Sequence, residues 1–253
     1  MTIFRVAETG STNTDMLERA VAGTAHEGDW LVAERQTVGR GRSGRAWASP
    51  TGNLYASGLV ELRPSDPPAP TLALVAGIAA VETLGGASVI LKWPNDILRS
   101  CESRSPANAG NAQTDTAPAS AGAHAKLAGI LLEREGDAVV VGVGANLVHA
   151  PEVPGRAVTS LVALERTLSV DEAAAALART MTHWLAVWRT DFASIRSTWL
   201  DRAHPLGTPL SAALSDGGRI DGRFDGLTED CALRLALADG SVRVIHAGDV
   251  FLI

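Results

Sequence analysis

Lysine is nearly missing from this 253-residue chain: of its 22 basic residues only Lys92 and Lys126 carry an ammonium, and the rest are arginines. Cysteine is equally scarce. Cys101 and Cys231 form no CxxC pair and have no histidine cluster beside them, which argues against a disulfide framework or a thiolate zinc site and points to a reducing compartment. Long apolar runs are absent too, since the longest, 72–81, is far short of the ~20 residues that cross a bilayer. The first ten residues carry Arg5 and Glu8 in place of an apolar signal core, so no secretory leader is expected. Nor is there an excess of positive charge. The formal net charge is −6 and the isoelectric point near 5.5, a poor balance for a generic polyanion binder, which must neutralise phosphates. What is present is 46% hydrophobic residues, 20% charged residues and a mean hydropathy of +0.11. That excludes disorder throughout and predicts a soluble, cytoplasmic protein of one or two domains.

Ser11-Thr12-Asn13 precedes a helical pattern (Met16, Leu17, Ala20, Val21) that stops at Gly23, so a short capped helix is expected. Residues 29–36 and 53–62 read as strands flanking a loop rich in Gly and Arg, 39–47. Residues 71–84 read as an Ala-rich helix, and 89–93 as a buried strand stopped by Pro94. Residues 126–133 and 138–143 form a hairpin pattern turning at Gly136-Asp137, and 171–190 and 191–203 read as helices. The stretch 99–125 has no Leu, Ile, Val or aromatic residue and cannot offset its ordering entropy by burial, which predicts a mobile surface insertion. After His204-Pro205 come short strands with Gly and Asp turns, the texture of a small β-barrel of about fifty residues, too small to be more than marginal alone. The expected fold is α+β: a mixed sheet with helices packed on it over 1–203, and a β appendage over 204–253.

Three segments carry candidate chemistry. Residues 36–47 read QTVGRGRSGRAW, where glycines free backbone N–H groups and Arg40, Arg42 and Arg45 add planar donor forks. Gly39, Gly41 and Gly44 satisfy a dinucleotide fingerprint formally, but Pro50 and Gly52 follow where a Rossmann loop should open into a helix. An anion site, a solvated basic loop and an RNA-binding patch all remain open on these residues alone. In 91–98 (LKWPNDIL) a strand delivers Lys92 and Trp93, and Asn95-Asp96 read as a turn presenting an amide and a carboxylate. Lys126 opens a strand in which Gly129 implies a close approach, and Gly142 and Gly144 read as a glycine turn ending the next strand at Asn146. A chain that writes its other cations as Arg, yet keeps Lys at 92 and 126, needs a compact point charge there.

In order along the chain, Ser11-Thr12-Asn13, Gln36 with GRGRSGRAW (39–47), KWPND (92–96), KLAGIL (126–131), GVGAN (142–146) and the weaker Thr159-Ser160-Leu161 resemble the biotin protein ligases. The C-terminal module ending in His246-Ala247-Gly248-Asp249-Val250 is similar to that family's small SH3-like domain. The resemblance implies a class II synthetase-like catalytic domain that makes biotinyl-5′-AMP from biotin and ATP with Mg²⁺. A lysine of a biotin carboxyl carrier protein, such as that of acetyl-CoA carboxylase, then takes the biotinyl group. It implies that Lys126 and Arg42 are catalytic, both meeting the biotin carboxylate and adenylate bridge. Ser11, Thr12, Asn13, Gln36, Arg40 and Gly41 would hold biotin, whose ureido group offers one acceptor and two donors. Arg40, Arg42, Trp47, Asn95, Asp96 and Asn146 would serve ATP or the adenylate, with Asp96 a possible metal residue. The Ser11 block starts too early for the DNA-binding domain of the family's repressors, so no DNA and no membrane partner is expected, and a monomer or weak homodimer is. The competing readings are a lipoate or octanoate ligase of similar fold, and a non-catalytic biotin-binding regulatory module.

Overall fold

The computed structural model describes residues 1–85, 89–99, 124–213 and 217–253; the insertion expected at 99–125 lies, but for its ends, outside them. A seven-stranded mixed sheet forms the larger part, in the order β1-β2-β3-β7-β6-β5-β4. Its strands are β1 (Ile3–Thr9), β2 (Trp30–Gln36), β3 (Leu54–Glu61), β4 (Val89–Lys92), β5 (Asp96–Arg99), β6 (Lys126–Glu135) and β7 (Ala138–Ala145). β1 runs parallel to β2, and every other ladder is antiparallel. β1, β5 and a last C-terminal strand are additions to the sequence expectation. Likewise, Gly142 and Gly144 sit inside β7 and not in a turn after it.

Both faces of the sheet are covered, which is why β7 (AVVVGVGA) is an almost unbroken apolar run. On one face Trp30, Val32, Leu54 and Val141 join the main core with α2 (Leu72–Leu84), α3 (Val170–Thr190) and α4 (Phe192–Arg202). Helix α2 has no polar stripe because all but one of its residues are buried. Helix α3 starts with a capping box in which Ser169 and Glu172 satisfy each other's backbone N–H. Trp188, fully buried, still finds a partner for its indole N–H in Thr71 Oγ1 at 2.8 Å. On the other face α1 (Thr12–Val21) packs Met16 against Leu31, Leu59 and Val140. Side chains lean toward a helix N-terminus, so the first residues of α1 project onto the sheet beyond its end.

Residues 209–252 form a separate antiparallel sheet in the order β11-β10-β9-β8-β12: β8 (Pro209–Ala213), β9 (Arg219–Leu227), β10 (Leu233–Ala236), β11 (Val242–Ile245) and β12 (Asp249–Leu252). The expected barrel does not close, since among the described residues β11 and β12 share no ladder. The edge of β12 is turned to other use: the Val250 carbonyl accepts from Lys92 Nζ at 2.7 Å and the Gly248 carbonyl from Arg42 at 3.0 Å. Trp93 Nε1 adds a bond to the Cys231 carbonyl and Arg196 one to that of Leu227, so the small sheet is docked on the large one.

Candidate functional site

One row of residues crosses four strands at equal height: Asp96 on β5, Gly129 on β6, Gly144 on β7 and Tyr55 on β3. Two adjacent glycines leave a flat slot in this row, and the Trp47 indole lies in it. A Cβ at Gly144 would stand 2.7 Å from Trp47 Cε2, and one at Gly129 3.3 Å from Cζ3. Above the row opens a cavity of about 770 Å³, and all the site residues expected from sequence, from Ser11 to Asn146, line it. They sort into two ends and a lid.

At the cationic end Asp96 is shared by both lysines of the chain. Lys126 Nζ takes Oδ1 at 2.5 Å and Lys92 Nζ takes Oδ2 at 2.8 Å, with all three side chains at least four-fifths buried. Burial pushes the Asp96 carboxyl up, but the charges of Lys92 and Lys126 and their hydrogen bonds outweigh it and hold it well below the usual carboxylate range. Burial also lowers the Lys126 amine against the pull of Asp96, with Lys92 and Arg156 adding to the lowering. Asn95, in the turn between β4 and β5, fixes this corner by donating to the Ile130 carbonyl at 2.6 Å and accepting from Arg42 at 3.4 Å.

At the polar end Thr12, Asn13 and Ser11 are buried at the start of α1. Gln36 Oε1 accepts from the Thr12 N–H at 2.9 Å and from its hydroxyl at 3.0 Å, and Gln36 Nε2 donates to Ser49 at 3.2 Å. Ser57, absent from the sequence reading, lies 2.6 Å from Asn13 Oδ1. Asn146 is walled in, donating to the Thr159 carbonyl at 3.0 Å while its backbone ties β7 to residues 127 and 161.

The lid is the Gly-Arg loop, folded back by the Trp47 N–H to the Gly39 carbonyl and the Gly41 N–H to the Arg45 carbonyl. Ser43 and Gly44 take positive φ (55° and 69°) at its tip. Arg40 turns to Thr14 and Glu133, at 2.8 and 3.0 Å. Arg45 clasps Asp249 of β12 through both forks at 2.8 and 2.9 Å, and Arg42 stands 3.8 Å from the same carboxylate. Burial raises the Asp249 carboxyl, but the hydrogen bond from Arg45 and the charges of Arg45, Arg42 and Arg156 bring it below its ordinary value. Asp249 thus joins the site from the far end of the chain. Its only sequence signal was its place in the family-like segment 246–250.

The described residues contain no group of three His, Cys, Asp or Glu side chains arranged to hold a metal. Asp96 has an ammonium on each oxygen, an arrangement that does not fit a cation.

A model described as the biotin/lipoate A/B protein ligase family matches residues 6–147. The chain belongs to this ligase family. A second model, the biotin protein ligase C-terminal domain, matches residues 212–253. Among relatives of the ligase, a biotin–[acetyl-CoA-carboxylase] ligase of Paracoccus denitrificans is 36% identical over 97% of this chain and 98% of its own. One of Mycobacterium tuberculosis is 32% identical over 97% and 86%. The solved biotin protein ligase of Aquifex aeolicus, in complex with biotin and ATP, shares the fold with a TM-score of 0.79 at 24% identity, over 100% and 99% of the two chains.

Proposed function

We propose that this chain is an ATP-dependent ligase that joins biotin to a lysine of a biotin carboxyl carrier protein by way of biotinyl-5′-AMP. One observation carries the reading: a cationic corner (Lys92, Lys126, Arg42) faces a buried polar pocket (Thr12, Asn13, Gln36) across a glycine-floored slot. That is the shape of a small acid with a polar head and a reactive carboxylate tail. Two anions must meet for the first step, and cations aimed at the joining oxygens lower its barrier.

In this mechanism Thr12, Asn13, Ser11 and Gln36 hold the ureido ring, and Lys126 receives the carboxylate, displacing Asp96 toward Lys92. Arg42 and the backbone of Arg40 and Gly41 cover the α-phosphate. A carboxylate oxygen bonds to Pα, the Pα–O–Pβ bond breaks and pyrophosphate leaves with its electron pair. The carrier's neutral lysine amine then bonds to the acyl carbon, the C–O bond to AMP breaks, and the amide forms with release of a proton. Trp47 and the Arg45–Asp249 clasp keep water off the anhydride meanwhile. Magnesium would accompany ATP and offset the charge of its phosphates. No helix among the described residues is long and apolar enough to cross a membrane. We propose a cytoplasmic protein, monomer or weak dimer, acting on a protein carrier; the net charge of −6 disfavours a DNA partner. We place the domain boundary after Ala203, between α4 and β8.

The test is pyrophosphate release from ATP with biotin or lipoate, followed by transfer of labelled biotin to a carrier domain. Release with biotin and labelling of the carrier are expected. Release with lipoate alone would move the chain to the lipoyl branch, and an adenylate that forms without transfer would make it a regulatory module.

A further inference from the structure

We infer that Ser57 is a positioning residue that sets the polarity of the head-group pocket, tuning it to a ligand with two N–H donors. The inference rests on the biotin reading above and names what makes that pocket select a cyclic urea. Ser57 is fully buried on β3, opposite Gly142 of β7, which in turn pairs with Leu131 of β6. The Asn13 side chain lies across this row. Its Nδ2 donates to the Leu131 carbonyl at 3.3 Å, its Oδ1 accepts from Ser57 Oγ at 2.6 Å, and it stands where a Cβ at Gly142 would be. A carbonyl can only accept, so the Leu131 bond fixes which end of the amide faces Ser57.

Proton counting then sets the rest. Oxygen–oxygen contacts run from Gln36 Oε1 to Thr12 Oγ1 (3.0 Å), from there to Ser57 Oγ (2.8 Å) and on to Asn13 Oδ1 (2.6 Å). Three contacts share only two hydroxyl protons. Both amide oxygens are pure acceptors, but Gln36 Oε1 already receives the Thr12 N–H at 2.9 Å. Ser57 donates to Asn13, which leaves the single Thr12 hydroxyl proton for the two contacts to Gln36 and Ser57. The pocket is therefore one proton short and rich in acceptors, and the ligand that completes it brings donors. A ureido ring brings two N–H groups, whereas a dithiolane brings none. Take away the Ser57 hydroxyl and Thr12 turns its proton to Gln36, while Asn13 loses the partner that holds its carbonyl in place.

Calorimetric titration of the full-length wild type and Ser57→Ala with biotin, and with biotin methylated on both ureido nitrogens, tests this. An unmade hydrogen bond in a buried site predicts that Ser57→Ala raises the Kd for biotin about tenfold to a hundredfold. The methylated analogue should bind both proteins equally weakly, and KM for ATP should stay within about twofold, a split that general loosening would not give. A biotin Kd for Ser57→Ala within about threefold of wild type, or equal losses on both ligands, overturns the inference. If Ser57→Ala fails to fold, Ser57→Thr decides, since it keeps the hydroxyl. Near-wild-type binding by that variant supports the assignment, and weak binding refutes it. A wild type that binds lipoate and not biotin brings down the functional reading first, and this inference with it.

Discussion

Replacing Asp96 with Asn isolates the electrostatics of the site in one step. The change keeps the side-chain shape but removes the charge that, among the described residues, holds two ammoniums side by side. The carboxylate side chain is 13% exposed and its partners 11% and 19%, so solvent screening is slight. Breaking a buried ion pair by neutralising one partner costs about 3–5 kcal/mol, because the other charge is left buried and unmatched. For a chain of this size each kcal/mol moves Tm by about 2–4 °C, so the free variant should melt roughly 6–20 °C below wild type. The sign with pH follows from the direction of the shift. The folded carboxyl lies below its ordinary 3.8, so its contribution is complete above that value and fades as pH falls further. The gap in Tm should be full at pH 5–7 and narrow below about pH 4.

The same variant makes a second, opposite forecast for binding. In the wild type an incoming carboxylate must compete with Asp96 for Lys126. In Asp96→Asn it meets two unmatched ammoniums instead. Biotin should therefore raise the Tm of the variant more than that of wild type, while biotinol, with the carboxylate replaced by an alcohol, should not. Thermal unfolding by circular dichroism with each ligand reads both effects. A Tm within 2 °C (about 1 kcal/mol or less) of wild type, or equal shifts with biotin and biotinol, would refute the view that Asp96 is a placeholder for a substrate anion.

Lys126→Arg should fold with little change in Tm yet lose about a hundredfold or more in kcat/KM, because a planar fork cannot replace a compact ammonium beside Gly129; full activity would show that any cation suffices. Raising pH should release biotin as the buried Lys126 amine loses its proton below the ordinary 10.5, even as the fold gains slightly, since the unfolded chain keeps that proton longer. A biotin Kd flat from pH 7 to 10.5 would contradict this. Gly144→Ala should expel the Trp47 indole, raising KM for biotin and ATP on the order of tenfold or more in steady-state assays, with a minor effect on Tm. Arg189→Ala removes a buried fork from Glu27 and Asp66, far from the cavity. It should cost about 3–5 kcal/mol in denaturant unfolding while both KM values hold.

The elements that were legible in the sequence are those that bury a periodic face. β2, β3, α2, the β6–β7 hairpin, α3 and α4 all appear within a residue or three of expectation. The strands that escaped are short, or half exposed at an edge. β1 hides an edge strand among polar residues, and β5 begins on Asp96, which local chemistry assigns to a turn. Gly142 and Gly144 look like a turn because sequence shows only the missing side chains. It does not show Asn13 and Trp47 arriving from elsewhere to fill the space. The family-like blocks placed every expected residue on the cavity, yet Ser57 and Asp249 act through partners 44 and 204 positions away, beyond any local pattern. The small C-terminal sheet is as the SH3-like reading expects, but among the described residues it stays open, and the free edge of β12 meets Arg42 of the lid and Lys92.

The scarcity of lysine has a geometric reading in this structure. Where the chain wraps a cation around a carboxylate it uses the arginine fork: Arg45 on Asp249 and Arg189 on Glu27 each place two nitrogens on two oxygens. A fork spans both oxygens of a carboxylate, although a second arginine still reaches each of these two, Arg42 at 3.8 Å and Arg63 at 3.1 Å. Asp96 serves two cations, one ammonium per oxygen. An ammonium also differs in kind, because burial can lower its proton affinity, whereas a guanidinium stays charged at any accessible pH. Lys92 spends a second donor on the Val250 carbonyl, binding the small sheet to this corner, while Lys126 keeps its free side toward the slot beneath Trp47. The shared carboxylate therefore fastens one lysine to the framework and leaves the other exchangeable. This is the division of labour needed by a site that must be assembled before substrate arrives and must yield its anion when it does.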